Sequence, residues 1–205
     1  MDRLPSLRLL GASGARPDVL SPGERERLEE FVHPDRRIGF VLGRTAARTL
    51  IGEALGVAPE AAPLAVAASG APVVVGAPLY VSIGHAGRGE AIGGAVLAET
   101  PVGFDLERIL PRHPGLWRRM LAPEEHALLD ALGGPTDEAQ TLLWSLKEAV
   151  LKGCQTGLRA GMRSVTLSEH DASRQRLVAR DGGGGLWRLR YERRGDVWVS
   201  LALAG

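Results

Sequence analysis

Cysteine is nearly absent from this chain. Its one thiol, Cys154, excludes an internal disulfide and any zinc cage built from cysteine ligands. Net charge is nearly absent as well. The 25 Lys and Arg balance 24 Asp and Glu to leave +1, so no basic excess marks a nucleic-acid binder. No apolar run approaches the roughly 20 residues that span a bilayer, and Asp2 and Arg3 are followed by no apolar stretch of the secretory kind. His33, His113, His126 and His170 form no metal-ligand spacing with each other. These absences predict a cytoplasmic protein with neither membrane nor nucleic-acid partner. What is present is a hydrophobic fraction of 44% over 205 residues, enough for a substantial core in one large domain or two small ones.

Local signals predict helices followed by strands, twice over. Leu7–Leu10 reads as a strand, and Ser21-Pro22-Gly23-Glu24 as a helix start with a capping box. From Pro34 to Leu55 apolar residues recur at helical spacing, with Arg36, Arg37, Arg44 and Arg48 among them. Short extended pieces such as Val73–Val75 follow in a Pro- and Ala-rich stretch. Leu79–Ile83, Ala91–Ala98 and Val102–Leu106 then read as strands, with a Gly84–Glu90 loop between the first two. In the second half, helices are predicted over Pro123–Leu132 and Asp137–Gly153. Strands are predicted at Ser164–Leu167, Arg176–Val178, Leu186–Arg190 and Val197–Leu203, with Gly182–Gly185 as a turn.

Three segments could carry chemistry. Asp105 and Glu107 lie two apart on a strand, so both carboxylates share one face while Phe104 and Leu106 take the other. Paired hard oxygens suit Mg²⁺; a half-buried strand with a polar outer face has the same alternation. Glu148 and Lys152 are one helical turn apart and share a face, as metal and phosphate ligands or as an ordinary solvated pair. Trp144 and Leu146 read as core. His85, in a Gly-flanked loop, could meet an anion together with backbone N–H groups, or be simply solvated.

Taken in order, these segments resemble the 4′-phosphopantetheinyl transferase family, in its larger, surfactin-synthetase-activating type. That type carries Ser-His-Ser, then Gly-(Ile/Val)-Asp-(Ile/Leu)-Glu, then Trp-x-x-Lys-Glu-(Ala/Ser)-x-x-Lys. The counterparts here are Gly84-His85-Ala86, Gly103-Phe104-Asp105-Leu106-Glu107 and Trp144 through Lys152, followed by Gly157-Leu158. The resemblance implies an α+β fold of two similar half-domains, 1–100 and 101–205, in a pseudo-twofold arrangement with the active site in the cleft between them. It implies a monomer that uses coenzyme A and Mg²⁺ to load an acyl or peptidyl carrier protein of fatty acid, polyketide or nonribosomal peptide synthesis. Asp105, Glu107 and Glu148 would hold Mg²⁺, with Glu148 also accepting the serine proton. His85 would touch a coenzyme A phosphate and Lys152 the pyrophosphate. Arg48 would bind toward the nucleotide end, with Arg44, Arg36 and Arg37 as further coenzyme A ligands.

The chain departs from the family pattern where Gly84 and Ala86 replace serines and Ala71 replaces a basic residue between Gly70 and Pro72. Those departures keep a second reading in view, a paralogue that binds coenzyme A or a carrier without efficient transfer. An unrelated Mg²⁺-dependent phosphoester enzyme is a third. Carriers are acidic as a rule, and Arg112, Trp117, Arg118 and Arg119 form the cluster expected to dock one.

Overall fold

The computed structural model describes residues 5–155 and 161–205; Asp2, Arg3 and the Gly157-Leu158 pair lie outside them. The chain divides into two compact units, Met1–Thr100 and Pro101–Gly205, and each lays one long helix on its own antiparallel sheet. The fold class is α+β.

In the first unit, β1 (Ser6–Gly11), β5 (Ile92–Ala98) and β4 (Tyr80–Ala86) form a sheet in the order β1-β5-β4. The hairpin of β2 (Leu64–Val66) and β3 (Pro72–Val74) forms a separate two-stranded sheet whose Leu64 and Val74 join the same core. Helix α1 (Pro22–Glu29) starts on the expected capping box. The Glu24 N–H donates to Ser21 Oγ at 3.3 Å, and the Ser21 N–H to Glu24 Oε2 at 2.9 Å. Helix α2 (Pro34–Leu55) ends at Gly56, whose φ of 69° suits a residue without Cβ.

Helix α2 approaches the sheet more closely than side chains would permit. A Cβ at Gly43 would lie 2.5 Å from Ile83 Cγ2, and one at Gly93 would lie 2.6 Å from Leu42 Cβ. Ala46, Ala47, Leu50, Ile51, Ala95 and Leu97 fill the remaining core. Strand β4 runs past its predicted end. Gly84 and His85 pair with Gly94 and Gly93 in unbroken register, so the expected Gly84–Glu90 loop is corrected to a shorter one. Gly84 here serves strand pairing and not a turn.

The second unit is a five-stranded antiparallel sheet in the order β6-β10-β9-β8-β7. Its strands are β6 (Val102–Arg108), β7 (Thr166–Asp171), β8 (Arg176–Arg180), β9 (Leu186–Arg194) and β10 (Val197–Ala204). Ser164, expected to open a strand, instead ends a 3₁₀ turn. Asp181 Oδ1 accepts the Gly183 and Gly185 N–H groups at 2.9 Å each, which makes Gly182–Gly185 the turn expected of it. Helix α3 (Pro114–Met120) was not predicted. The expected Pro123–Leu132 helix is a 3₁₀ turn, Pro123–Glu125, leading into α4 (His126–Ala131).

Helix α5 (Asp137–Gly153) is capped by Thr136, whose Oγ1 accepts the Ala139 N–H at 3.2 Å. Its stripe of Leu142, Leu143, Leu146, Ala149 and Val150 packs in one core with Leu177, Trp187, Leu189, Trp198 and Ala202 of the sheet. Glycine again permits the contact. A Cβ at Gly103 would overlap the Ala149 carbonyl oxygen, and one at Gly153 would meet the Trp187 ring at 2.5 Å. Gly103→Ala is therefore expected to cost about 3 kcal/mol, near the top of the usual overpacking range. A urea titration of the full chain would measure it; an unchanged midpoint would show that α5 can shift freely off β6.

Candidate active site

Strand β6 and helix α5 meet along Gly103, and that contact brings their carboxylates together. Asp105 points to the α5 side, where its Oδ2 accepts from Ser145 Oγ at 2.8 Å and its Oδ1 from Lys152 Nζ at 2.7 Å. Ser145, Glu148 and Lys152 stand at i, i+3 and i+7 and so share one helix face. Phe104 and Leu106 fill the opposite side of the strand and are buried too, so the polar face predicted for β6 is itself an interior one. Asp105 is only 2% exposed.

Ligand oxygens of Asp105, Glu107 and Glu148 all lie within 4.8 Å of one another. Two of the carboxylates already have protein partners: Lys152 and Ser145 for Asp105, and Arg112 for Glu107. A carboxylate has about four lone-pair positions, so these partners leave capacity for a cation. Three hard oxygen donors this close fit Mg²⁺ and give nothing to a metal that needs sulfur or imidazole.

Crowding of negative charge shows in the titration of the group from the helix. Burial, and then the charge of Asp105, push Glu148 up to about 7, against the opposing pull of Lys152 and of a Trp144 hydrogen bond. Burial works against the Lys152 ammonium, but Asp105 and Glu148 outweigh it and hold its pKa above the ordinary lysine value. The helix thus presents a cation that stays charged beside a carboxyl group that can exchange its proton near neutrality.

Lys147 points the other way. It is 0% exposed, and its Nζ donates to Glu125 Oε2 at 2.6 Å and to the carbonyls of Met120 at 3.0 Å and Met162 at 3.3 Å. Glu125 Oε1 in turn accepts the Leu167 N–H at 2.9 Å. This buried pair ties α5 to the turn before α4 and to β7. Sequence reasoning gave Lys147 no role, although a signal was there: it sits at i+4 from Leu143 and i−3 from Val150, on the core stripe, where a lysine must find a buried carboxylate. Ser145 was overlooked as well; only its spacing from Glu148 pointed to it.

The arginines of the first unit are placed differently from one another. Arg48, expected toward the nucleotide end of coenzyme A, is 2% exposed. Its Nε donates to Glu24 Oε2 at 2.7 Å, and its Nη1 to the Ala62 carbonyl at 3.1 Å. These bonds join α2 to α1 and to the segment before β2. Arg44 lies over the Phe40 ring at 5.3 Å and 3.6 Å from Glu24 Oε1, and burial lowers its pKa. Arg37 donates to the Leu28 carbonyl at 2.8 Å. Arg36 and His85 are exposed. His85 is a strand residue, contrary to the loop expected, and a Cβ at Gly39 would lie 2.9 Å from its ring. Of the carrier-docking cluster, Trp117 is in the core at 5% exposure, which removes it from any surface, whereas Arg118 and Arg119 are exposed on α3.

Comparison with known proteins agrees with this geometry. A sequence model described as the 4′-phosphopantetheinyl transferase superfamily matches residues 101–202, the unit that holds the three carboxylates. A 4′-phosphopantetheinyl transferase of Bacillus pumilus, psf-1, is 31% identical over 170 residues, covering 74% of this chain and 71% of its own length. A protein of Synechocystis provisionally given the same enzyme name is 30% identical over 180 residues, 83% of this chain and 71% of its own. The 4′-phosphopantetheinyl transferase of Bacillus subtilis is 25% identical over 167 residues, or 80% and 73%. With its carboxylates and Lys152 on the matched segment, the chain belongs to the 4′-phosphopantetheinyl transferase superfamily.

Proposed function

We propose that the protein transfers the 4′-phosphopantetheine arm of coenzyme A to a serine of an acyl or peptidyl carrier protein, with Mg²⁺, releasing adenosine 3′,5′-bisphosphate. The observation that carries this is the acidic set of Asp105, Glu107 and Glu148 with Lys152 beside it, in a chain of this superfamily.

The serine oxygen attacks the phosphorus that bears the pantetheine arm. As that bond forms, the bond from phosphorus to the bridging oxygen breaks, and the adenosine bisphosphate leaves with the electron pair. Glu148 takes the serine proton, directly or through a water, and its pKa of about 7 suits a base that must both accept and release it near neutrality. Lys152 remains an ammonium and faces the charge that builds on the phosphate oxygens. Asp105 holds Lys152 in place, and Ser145 fixes the Asp105 rotamer. Bound Mg²⁺, held by Asp105, Glu107 and Glu148, would supply Lewis-acid stabilisation of those same oxygens. No covalent enzyme intermediate is needed, so positioning and electrostatics supply most of the rate.

Intact-mass analysis of an apo carrier protein incubated with the enzyme, coenzyme A and Mg²⁺ tests the proposal. The expected result is a gain of about 340 Da, one phosphopantetheine group delivered by phosphoryl transfer. The internal use of Arg48 and the absence of hydroxyls at Gly84 and Ala86 favour one other reading, a paralogue that binds without transferring. Bound coenzyme A with no mass gain on acyl and peptidyl carriers alike would select it.

A further inference from the structure

Arg112 stands between the acidic site and an aromatic wall. Five residues beyond Glu107, it pairs through Nη2 with Glu107 Oε1, while its guanidinium carbon lies over the Trp144 ring at 5.4 Å. Both partners in the pair are mostly shielded, with side chains 24% and 21% exposed. Trp144 is itself fixed, its ring meeting Trp117 edge-on at 6.5 Å. A planar guanidinium seated on a fixed indole loses little freedom in holding a carboxylate, which a lysine on its flexible stem could not match.

We infer that Arg112 is a positioning residue that restrains Glu107, so that the third carboxylate is the weakest cation ligand of the set and the site binds divalent metal less tightly than its oxygens allow. The inference rests on the metal reading proposed above. Asp105 and Glu107 each carry a cationic partner, but the two differ in kind. Lys152 reaches Asp105 from the same helix face as Glu148 and belongs to the site. Arg112 reaches Glu107 from the segment after β6 while lying over the Trp144 ring. A cation that takes a Glu107 oxygen competes with that guanidinium. Removing Arg112 also takes away one of the two cations that pair with these carboxylates among the described residues. Both effects act in the same direction.

The measurement is Mn²⁺ binding to the full chain, with neither coenzyme A nor carrier, read from the electron paramagnetic resonance signal of free Mn²⁺. Arg112→Met, which keeps the stem against Trp144 and removes the charge, is expected to tighten Mn²⁺ binding about two- to fivefold, the scale of one partly shielded ion pair. Arg112→Gln should show the same gain and provides a second neutral variant should the first fold poorly. Arg112→Lys, which keeps the charge and loses the planar fork, should fall between these and the unaltered protein. In a Glu107→Gln background the gain from Arg112→Met should shrink to the share that the lost positive charge alone supplies. Unchanged or weaker Mn²⁺ binding in both neutral variants would overturn the inference while leaving the metal site standing, provided Asp105→Asn still abolishes binding. If the unaltered protein and Asp105→Asn alike fail to bind Mn²⁺, the metal reading falls and this inference with it.

Discussion

Glu148→Gln is expected to lower the rate of phosphopantetheine transfer by about 10²- to 10⁴-fold, the range for losing a positioned general base. The substitution is nearly isosteric and sits at a half-buried position facing Asp105, away from the Lys147 pair, so the helix should stay seated. Its effect on pH dependence separates chemistry from folding. Glu148 titrates at about 7, above the ordinary carboxylate value of 4.5, because burial and Asp105 penalise its charged form. A cation must displace that proton, so in the parent protein divalent-cation affinity should fall up to tenfold for each pH unit below about 7 and level off above it. The sign for stability is the reverse. The folded chain holds the Glu148 proton more tightly than the unfolded chain, so this contribution is full below pH 4.5 and is lost as pH rises through 7. Glu148→Gln should remove both dependences. Calorimetric titrations with Mg²⁺ in buffers of different ionisation enthalpy would show the proton release directly. Equal release from parent and variant would assign the proton to another group.

Lys147→Met is expected to cost about 3–5 kcal/mol, the usual penalty for breaking a buried pair from one side. Against a typical total of about 5–15 kcal/mol, that is enough to unfold a marginal protein at growth temperature. The loss has three parts: a Glu125 carboxylate left charged in the core, and the Met120 and Met162 carbonyls left without the Nζ donor. Adding Glu125→Gln should restore much of it, because the amide oxygen can still accept from the Leu167 N–H without carrying charge. Urea midpoints for the two singles and the double give the coupling energy. An additive result, with no recovery in the double, would mean that the pair is not what holds α5 to β7.

Much of this arrangement was legible in the chain. Ser21 with Glu24, and Asp137 through Gly153, were readable because capping and helical periodicity are local properties. The placement of Asp105 and Glu107 on one face followed from strand alternation alone. What was not legible depended on partners distant in sequence. Arg44 and Arg48 look alike on the helix, and only the fold shows that both meet Glu24 while Arg48 alone reaches the Ala62 carbonyl. Gly84 and His85 read as a loop because glycine marks turns. Their strand register comes from Gly93 and Gly94, which are glycines because a helix and another strand pass close by. Buried Trp117 was invisible for the same reason: α3 is short, and its burial comes from α5.

Lys147 and Glu148 are consecutive, yet one serves the interior and the other the reaction. Successive residues of an α-helix are turned by about 100°, at 3.6 per turn. A single residue inserted or deleted between Asp137 and Lys147 would rotate the ammonium out of its carbonyl cage and swing Glu148 toward the core. The first eleven positions of α5 therefore have a fixed length as well as a pattern. Length variation among relatives in this part of the chain should fall in the Gly133–Thr136 connection, outside the helix.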